Sequence, residues 1–299
     1  MSIWNDMSWV PALRTPFLNL FFESITLMGY PLFLILFLCF GYFALGSNRF
    51  FHTGLLLIVT GLSNAMLKDF GQDPRPDASF ALDPRIGTSY GWPSGHMQIA
   101  VVLWGYLAYR LRQNWIYAAA ALFIALQGFS RIYLGVHDVG DVVAGFVFGL
   151  ICLFGYIWVE THPRLSAGIS RLTLAQSASI LLAVHIIYIA LYPAHAGHMP
   201  AYWFIGMMMG WVLGWQMRAR QAVFLPGAWP VHLTLAALLT GICFYMMIFT
   251  TRLTGRLTES LDLDAVWLNA AGNYGFGIVF AVFTLWALPA LVARLVKTP

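Results

Sequence analysis

The sequence predicts an all-α fold, a polytopic membrane bundle of helices, and two observations support this prediction. Hydrophobic residues make up 60% of the 299 positions and charged residues only 9%, whereas roughly 25% of a soluble domain is charged. The second observation is the number of apolar stretches close to the roughly 20 residues that a spanning helix needs. We identify nine of them, at residues 30–47, 52–68, 95–111, 115–131, 138–159, 175–192, 200–217, 231–250 and 273–294.

Residues 1–29 differ from these stretches because polar residues interrupt them. After Pro16, the apolar Phe17 and Leu20 lie opposite Glu23 on a helical projection. This pattern predicts a helix that lies in the membrane interface and does not cross it. No short basic segment is followed by a small-residue cleavage site, so we expect no removable secretory signal.

Two polar segments between the apolar stretches divide the remaining chain. Residues 69–94 form the longest polar segment of the first half and predict a surface loop. Thr161–Arg164 contains a proline and predicts a helix end. All residues with candidate chemistry precede that end. We therefore predict an N-terminal segment at residues 1–29, a core at residues 30–192 and further spanning helices at residues 193–299.

The distribution of basic residues predicts the orientation of the chain in the membrane. Counting crossings places loops 69–94 and 131–138 on one side. That side carries four basic residues once Lys68, Arg75 and Arg131 are set aside for the site described below, and the other side carries nine. By the positive-inside rule the second side is cytoplasmic, so we expect loop 69–94 to be extracytoplasmic. The nine are Arg49, Arg110, Arg112, Arg164, Arg171, Arg218, Arg220, Arg294 and Lys297.

Composition also disfavours two other kinds of binding site. The net charge of +4 comes from scattered residues, without the basic run or interleaved aromatic platform of a nucleic-acid site. Cys39, Cys152 and Cys243 each lie in an apolar stretch, which predicts packing residues and neither a disulfide framework nor a metal site. No pattern in the sequence fixes the oligomeric state.

Three polar clusters lie where predicted spans begin and end, all on the same side of the membrane. Four helix ends therefore converge on one polar position. The clusters comprise Lys68, Arg75 and Pro76; Pro93, Ser94, Gly95 and His96; and Ser130, Arg131, His137 and Asp141.

The residue types in these clusters predict a phosphate-binding site. Lys68, Arg75 and Arg131 supply three cations, and arginine matches phosphate oxygens in a bidentate geometry. Ser94 and Gly95 open a helix whose first N–H groups are unpaired, and such a helix start binds phosphate through these groups and its dipole. Charge-assisted hydrogen bonds contribute roughly 1.5–3 kcal/mol each, so several together suffice to hold a phosphoryl dianion.

The reacting groups are predicted from spacing. His137 and Asp141 are four residues apart and lie on one face if a helix starts near His137. Asp141 then accepts the proton of one ring nitrogen and leaves the other nitrogen of His137 as a nucleophile. His96 is the candidate general acid, and later the base that activates water. No metal or other cofactor is required, because the three cations neutralise charge that Mg²⁺ handles in other phosphoryl-transfer enzymes.

These motifs resemble the full signature of the type 2 phosphatidic acid phosphatase superfamily. The spacing is Lys68, six residues, Arg75-Pro76; then Pro93-Ser94-Gly95-His96; then Ser130-Arg131, five residues, His137, three residues and Asp141, and all eleven positions match. The resemblance covers roughly residues 50–160. It implies that His137 is the nucleophile, Asp141 its partner and His96 the acid. It implies phosphate binding by Lys68, Arg75, Ser94, Gly95 and Arg131.

The resemblance also implies an architecture and a substrate class. The family is a six-helix bundle, so residues 193–299 would add about three spanning helices to a six-helix phosphatase core. Lipid-acting members imply a phosphorylated lipid substrate, such as undecaprenyl diphosphate, phosphatidate, phosphatidylglycerol phosphate or a phosphosphingoid. The expected partners are this substrate and membrane lipids, and not nucleic acid.

Several alternatives remain open from the sequence. Attack by His137 would give a phosphohistidine intermediate that water hydrolyses in a phosphatase; a lipid-linked phosphotransferase would use the same intermediate, and a transporter or scaffold would need only the binding site. A metal site built from His96, His137, Asp138 and Asp141 is disfavoured because the neighbouring cations would repel a metal ion. We interpret Asp73, Asp77 and Asp83 as loop and turn formers, with Asp69 or Asp73 as possible partners of the basic set.

Overall fold

The computed structural model describes residues 5–45, 47–85, 89–191, 199–218, 229–260 and 265–297. Helices form the regular secondary structure of these residues. The first half contains α1 (Pro16–Leu27), α2 (Pro31–Ala44), α3 (Ser47–Gly71), α4 (Gly95–Leu111), α5 (Asn114–Tyr133) and α6 (Val139–Thr161). The second half contains α7 (Pro163–Ser170), α8 (Leu174–Leu191), α9 (Met199–Arg218), α10 (Trp229–Ser260), α11 (Ala265–Val282), a π-helical turn (Phe283–Ala287) and α12 (Leu288–Lys297).

The helices confirm the predicted class, an all-α integral membrane protein. Among the described residues, five helices are long and apolar enough to cross a membrane, or up to seven if each of two bent helix pairs forms one span. This number is lower than the nine predicted, although each of the nine stretches falls on a helix. The division into six core helices and three additional helices is not confirmed and stays a prediction.

The predicted interfacial segment contains helix α1. Thr15 caps it, because its side-chain oxygen accepts a hydrogen bond from the Leu18 amide at 3.2 Å. Phe22 and Thr26 face inward and are buried, while Phe17 is exposed. Its exposed apolar face is compatible with the predicted interfacial position. It is equally compatible with a bent span, because α1 and α2 meet at 53° and together are apolar enough to cross.

The chain divides into two compact units, and the first comprises Met1–Leu34 and Ser63–Thr161. In this unit α4 packs against α5 and α6, and α1 packs against α5. Gly145 of α6 allows a close approach to α4, because a Cβ at this position would lie 2.5 Å from the Ser94 carbonyl oxygen. Small residues allow membrane helices to approach closely in this way. The crossing fixes the start of α6 against the turn that precedes α4.

The second unit comprises Ile35–Leu62 and His162–Pro299. Its densest packing is between α9 and α11, and the indole nitrogen of Trp211 donates to the Phe51 carbonyl at 2.9 Å. The buried hydroxyl of Thr240 bonds to its own helix, at the Ala236 carbonyl, with a distance of 2.8 Å. Such back-bonding satisfies a polar group without a partner from another helix. Cys39 and Cys243 are buried and free, as the sequence predicts for packing residues.

Candidate active site

The first unit brings the three polar clusters of the sequence together. Lys68 lies at the end of α3 and Arg75 in the following loop, and Ser94 precedes α4. Arg131 lies in the last turn of α5, and Asp141 lies in the first turn of α6. All eight predicted site residues are described and belong to this unit.

The imidazole of His137 is held on both sides by hydrogen bonds. Its Nδ1 lies 2.8 Å from Oδ2 of Asp141, and its Nε2 lies 3.2 Å from Nη1 of Arg75. A guanidinium group only donates hydrogen bonds, so Nε2 is the acceptor and the ring proton resides on Nδ1. The network therefore selects the tautomer in which Nε2 carries a lone pair.

The turn before α6 places His137 between Asp141 and Arg75. The Gly135 backbone has a φ of +70°, and a Cβ there would lie 1.9 Å from the Phe80 carbonyl oxygen. Only glycine fits such a conformation and contact. The amides of Val136 and His137 then both point to the Arg131 carbonyl, at 3.2 and 3.3 Å, and close the end of α5. The backbone of His137 is thus held next to that of Arg131, six residues earlier in the chain.

Electrostatics keep His137 neutral. The side chain is 2% exposed, and burial lowers the pKa of His137 well below its usual value. The positive charges of Arg75, Arg131 and Lys68 lower this pKa further. Both causes oppose the charged form of the ring. A neutral imidazole at ordinary pH is the form that can attack an electrophile.

Lys68 and Arg75 are bonded to neutral oxygens. Nζ of Lys68 donates to the carbonyls of Tyr90 and Gly91, the latter at 2.9 Å. Arg75 donates to the Ser89 carbonyl at 2.8 Å and hydroxyl at 2.9 Å, and to the Val136 carbonyl at 2.9 Å. These bonds orient both side chains without neutralising their charge. Their positive charge remains available for an anionic ligand.

The turn at Ser94 and Gly95 has the features of an anion site. Ser94 is the N-cap of α4, but its hydroxyl does not cap the helix. The Ser94 Oγ atom is buried and has no hydrogen-bond partner among the described residues. Its amide donates to the Asp141 carbonyl at 3.0 Å, which ties this turn to the start of α6. Gly95, the first residue of α4, lies at the positive end of the helix dipole.

Asn64 and Gln98 form a hydrogen-bonded network that holds the turn at Ser94, and neither residue belongs to the three sequence motifs. Asn64 Nδ2 donates to the Pro93 carbonyl at 3.1 Å and to Gln98 Oε1 at 3.0 Å. Both side chains are buried. The signal was present in the sequence, because polar residues inside apolar stretches mark functional or supporting positions.

His96 projects from the first turn of α4. Its Nε2 atom is buried and has no hydrogen-bond partner among the described residues. The Tyr30 ring packs against the imidazole edge to face, with centroids 4.6 Å apart and planes at 77°. On another side Gly29 approaches so closely that a Cβ there would lie 2.3 Å from the ring of His96. The ring is thus fixed by packing while Nε2 remains available.

Arg131 is paired differently from the other two cations. Its Nη1 lies 3.1 Å from Oδ2 of Asp83 and also donates to the Thr26 hydroxyl. Its Nε atom is buried and has no partner among the described residues. Asp83 does form a turn, because its Oδ1 accepts from the Arg85 amide at 3.2 Å, and its Oδ2 is in addition the buried partner of Arg131. Asp77 does form a turn, since its side chain accepts from the Ser79 amide at 2.8 Å.

Four buried polar atoms of the predicted site residues have no hydrogen-bond partner among the described residues. Asp141 Oδ1 is an acceptor, and the other three, Ser94 Oγ, His96 Nε2 and Arg131 Nε, can bind an anionic ligand. Leaving such atoms unsatisfied costs roughly 1–3 kcal/mol each. Together with the free charge of Lys68 and Arg75, they provide donors for a tetrahedral oxyanion. The described residues contain no group of three His, Cys, Asp or Glu side chains that could hold a metal ion.

Comparison with known proteins places the chain among phosphatases. The sequence model of the PAP2 superfamily matches residues 49–164. Phosphatidylglycerophosphatase B of Bacillus subtilis is 32% identical over 159 residues, which cover 48% of this chain and 75% of that protein. Lipid phosphate phosphatase delta of Arabidopsis thaliana is 30% identical over 44% of this chain and 34% of that protein.

A third relative, dihydrosphingosine 1-phosphate phosphatase YSR3 of Saccharomyces cerevisiae, is 29% identical over 52% of this chain. The match covers 43% of that protein. The similarity therefore spans most of the bacterial relative but less than half of each of the two eukaryotic ones.

Proposed function

The chain belongs to the PAP2 superfamily and is a phosphoric ester hydrolase, and we propose that it removes phosphate from a phosphorylated membrane lipid with His137 as nucleophile. The observation that carries this proposal is the hydrogen bonding of His137. Asp141 holds its Nδ1–H, and Nε2 is directed at the guanidinium of Arg75. A phosphate bound to Arg75 would meet the lone pair of a neutral imidazole.

Two steps complete the proposed reaction. In the first, Nε2 of His137 forms a bond to phosphorus while the bond between phosphorus and the lipid oxygen breaks. His96 gives a proton to the departing oxygen. In the second, His96 takes a proton from water as the water oxygen attacks the phosphohistidine. The bond between phosphorus and nitrogen then breaks, and inorganic phosphate and free His137 are restored.

The remaining predicted residues bind the phosphoryl oxygens in this proposal. Lys68 and Arg75 are oriented by bonds to neutral oxygens, and Ser94 and Arg131 each present a buried atom without a partner among the described residues. The first amides of α4, starting at Gly95, add the dipole of the helix. Donors fixed before the reaction stabilise charge that develops in the transition state, and they do so without reorganisation.

The substrate class follows from the relatives and the membrane setting. The relatives are named for phosphatidylglycerol phosphate, lipid phosphate and a phosphosphingoid base. A site at helix ends meets head groups at the membrane surface, which suits a phosphorylated lipid. We propose that this surface is extracytoplasmic, because the predicted crossings put nine basic residues on the opposite side and four on this one once Lys68, Arg75 and Arg131 are set aside.

Phosphate release from defined lipids tests the proposal. Purified protein in detergent micelles is given phosphatidate, phosphatidylglycerol phosphate, a phosphosphingoid base and undecaprenyl diphosphate, with the His137→Ala variant as blank. Release of inorganic phosphate from at least one lipid, abolished in the variant, is the expected result. Phosphate transfer only when an alcohol or lipid acceptor is added would identify a phosphotransferase. Equal turnover by both proteins would reject His137 as nucleophile.

The orientation is tested separately in intact cells. Ser79 and Gln113 are exposed and lie in the loops before and after α4. A membrane-impermeant maleimide should label the Ser79→Cys variant and leave Gln113→Cys unlabelled, with the unsubstituted chain as blank. The reverse pattern would place the site on the cytoplasmic side.

A further inference from the structure

The side chains of Tyr30 and Asp83 connect two groups of the candidate site that the motifs leave separate. Oδ2 of Asp83 accepts hydrogen bonds from the Tyr30 hydroxyl at 2.5 Å and from Nη1 of Arg131 at 3.1 Å. The ring of Tyr30 packs edge to face with His96. The ring of Tyr30 thus contacts His96, the candidate general acid. Its hydroxyl contacts Asp83, the partner of the candidate phosphate-binding residue Arg131.

We propose that Tyr30 and Asp83 are positioning residues that hold His96 and Arg131 in the arrangement required for phosphoryl transfer. This inference rests on the proposed function. Neither residue belongs to the three motifs, and neither need touch the substrate. Their role is to fix the direction of Arg131 Nε and His96 Nε2, two buried atoms that have no hydrogen-bond partner among the described residues.

The geometry around Asp83 supports this role. Its side chain is fully buried, as is that of Arg131, with exposures of 0% and 2%. Its other oxygen, Oδ1, accepts from Nε of Arg85 at 2.7 Å, and the Arg85 guanidinium lies 4.9 Å from the Tyr30 ring centroid. The two oxygens therefore serve separate arginines. A carboxylate with both oxygens engaged has little freedom to rotate.

The charge state of Asp83 is consistent with this geometry. Burial opposes ionisation, but hydrogen bonds from Tyr30 and Arg85 and the charge of Arg131 hold the pKa of Asp83 below its usual value. The carboxylate is therefore anionic at ordinary pH. An anion next to Arg131 fixes one edge of the guanidinium and leaves Nε directed elsewhere.

A second set of residues in the first unit provides a matched control. Tyr106, Glu160 and Arg110 form the same combination of tyrosine, carboxylate and arginine. The Tyr106 hydroxyl donates to Glu160 at 2.9 Å, and Arg110 Nη1 donates to Glu160 at 2.5 Å. This triad is built on the far ends of α4 and α6, away from His96 and Asp141. Tyr106→Phe therefore removes the same hydroxyl in a similar network outside the site.

The test compares Tyr30→Phe, Asp83→Asn and Tyr106→Phe for lipid phosphate hydrolysis and for inhibition by orthovanadate. Vanadate resembles the transition state of phosphoryl transfer, so its affinity reports the alignment of the site. We expect Asp83→Asn to lower kcat/KM and vanadate affinity about 10- to 100-fold, because a charge-assisted hydrogen bond is lost. Tyr30→Phe should lower both about 3- to 10-fold, and Tyr106→Phe should change neither more than about twofold.

Kinetics distinguish a variant that is misaligned in the site from one that is partly unfolded. A smaller folded fraction lowers the maximal rate and leaves KM and the vanadate inhibition constant unchanged, whereas misalignment changes the inhibition constant. If Asp83→Asn does not fold, Tyr30→Phe decides, because it keeps the ring against His96. Equal kcat/KM and vanadate inhibition in Tyr30→Phe and Tyr106→Phe would overturn the inference.

Failure of the proposed function gives a different result. If the unaltered protein hydrolyses none of the lipids, vanadate binding is measured by the shift that it causes in Tm. A smaller shift for Tyr30→Phe than for Tyr106→Phe would still support the positioning role. Identical shifts would reject it independently of any activity.

Discussion

Two triads of tyrosine, carboxylate and arginine lie in the first unit, and they differ in burial. Arg131 and Asp83 have side-chain exposures of 2% and 0%, whereas Arg110 and Glu160 have exposures of 23% and 19%. Removing an ion pair from water costs several kcal/mol per ion, and mutual attraction recovers this cost only with good geometry. The partly exposed pair is solvated and contributes little to stability.

The difference indicates what each triad does. At the second triad Arg110 donates to both Glu160 and Tyr106, so its contacts remain within the triad. At the first triad Arg131 keeps one buried N–H without a partner among the described residues, and Tyr30 also contacts His96. A buried ion pair that leaves a donor unsatisfied is costly to keep. We interpret the first triad as part of the site and the second as a link between α4 and α6.

The largest expected effect on kcat distinguishes the two carboxylates at opposite ends of α6, Asp141 and Glu160. Asp141→Asn should lower kcat about 10³- to 10⁴-fold, because an amide no longer secures the Nδ1–H tautomer of His137. Glu160→Gln should change kcat by no more than about twofold. The measurement is phosphate release from a lipid in detergent. Comparable losses in the two variants would mean that the two ends do not differ in function.

The second prediction compares the arginines. Arg131→Lys should lower kcat/KM about 10- to 100-fold, because an ammonium group cannot bond Asp83 and direct a second N–H to a ligand as a planar guanidinium does. Arg110→Lys keeps a charge beside Glu160 and should remain within about twofold of the unaltered protein. Equal kcat/KM values for Arg131→Lys and Arg110→Lys would contradict a special role of Arg131.

The third prediction concerns the titration of His137. Its pKa is lowered by burial and by Arg75 and Arg131, so the folded protein binds less proton here than the unfolded chain does. The stability that this group contributes is complete above about pH 6.5 and is lost as the pH falls toward the folded pKa. Nitrogen NMR of histidine-labelled protein, assigned with His137→Gln, should show a neutral ring at pH 6.5. A ring half protonated at pH 6.5 would contradict this prediction.

The smallest expected effect is that of metal removal. Chelation with EDTA should change the rate of phosphate release by less than about twofold, because Lys68, Arg75 and Arg131 supply the positive charge that a metal ion would provide. The described residues include no cluster of three metal-binding side chains. Loss of activity that Mg²⁺ or Zn²⁺ restores would show that the cationic cluster is insufficient.

The sequence predicted much of the site because its chemistry depends on local spacing. His137 and Asp141 are four residues apart, and the structure joins them at 2.8 Å. Ser94 and Gly95 precede an apolar run, and the structure starts α4 at Gly95. His137 lies in the turn just before α6 and Asp141 in the first turn of that helix, so this contact spans only four residues of the chain. Their catalytic roles stay predictions until the variants are measured.

The sequence did not predict the supporting residues, because their contacts join distant parts of the chain. Asp83 forms a turn with Arg85, as predicted, but its contacts with Arg131 and Tyr30 span 48 and 53 residues of the chain. Asn64 lies 34 residues before Gln98. No local pattern distinguishes an aspartate that turns a loop from one that a fold buries beside an arginine.

The sequence by itself determined the membrane class, the helices and the motif residues, since hydrophobicity and helical period are properties of neighbouring residues. The predicted stretch 95–111 coincides with helix α4, whereas the described residues contain five to seven helices that could cross a membrane, against nine predicted stretches. Only the tertiary structure decided which buried groups meet. Gly145 brings α6 against the Ser94 turn, and the packing of Tyr30 on His96 unites two groups that the sequence keeps 66 residues apart.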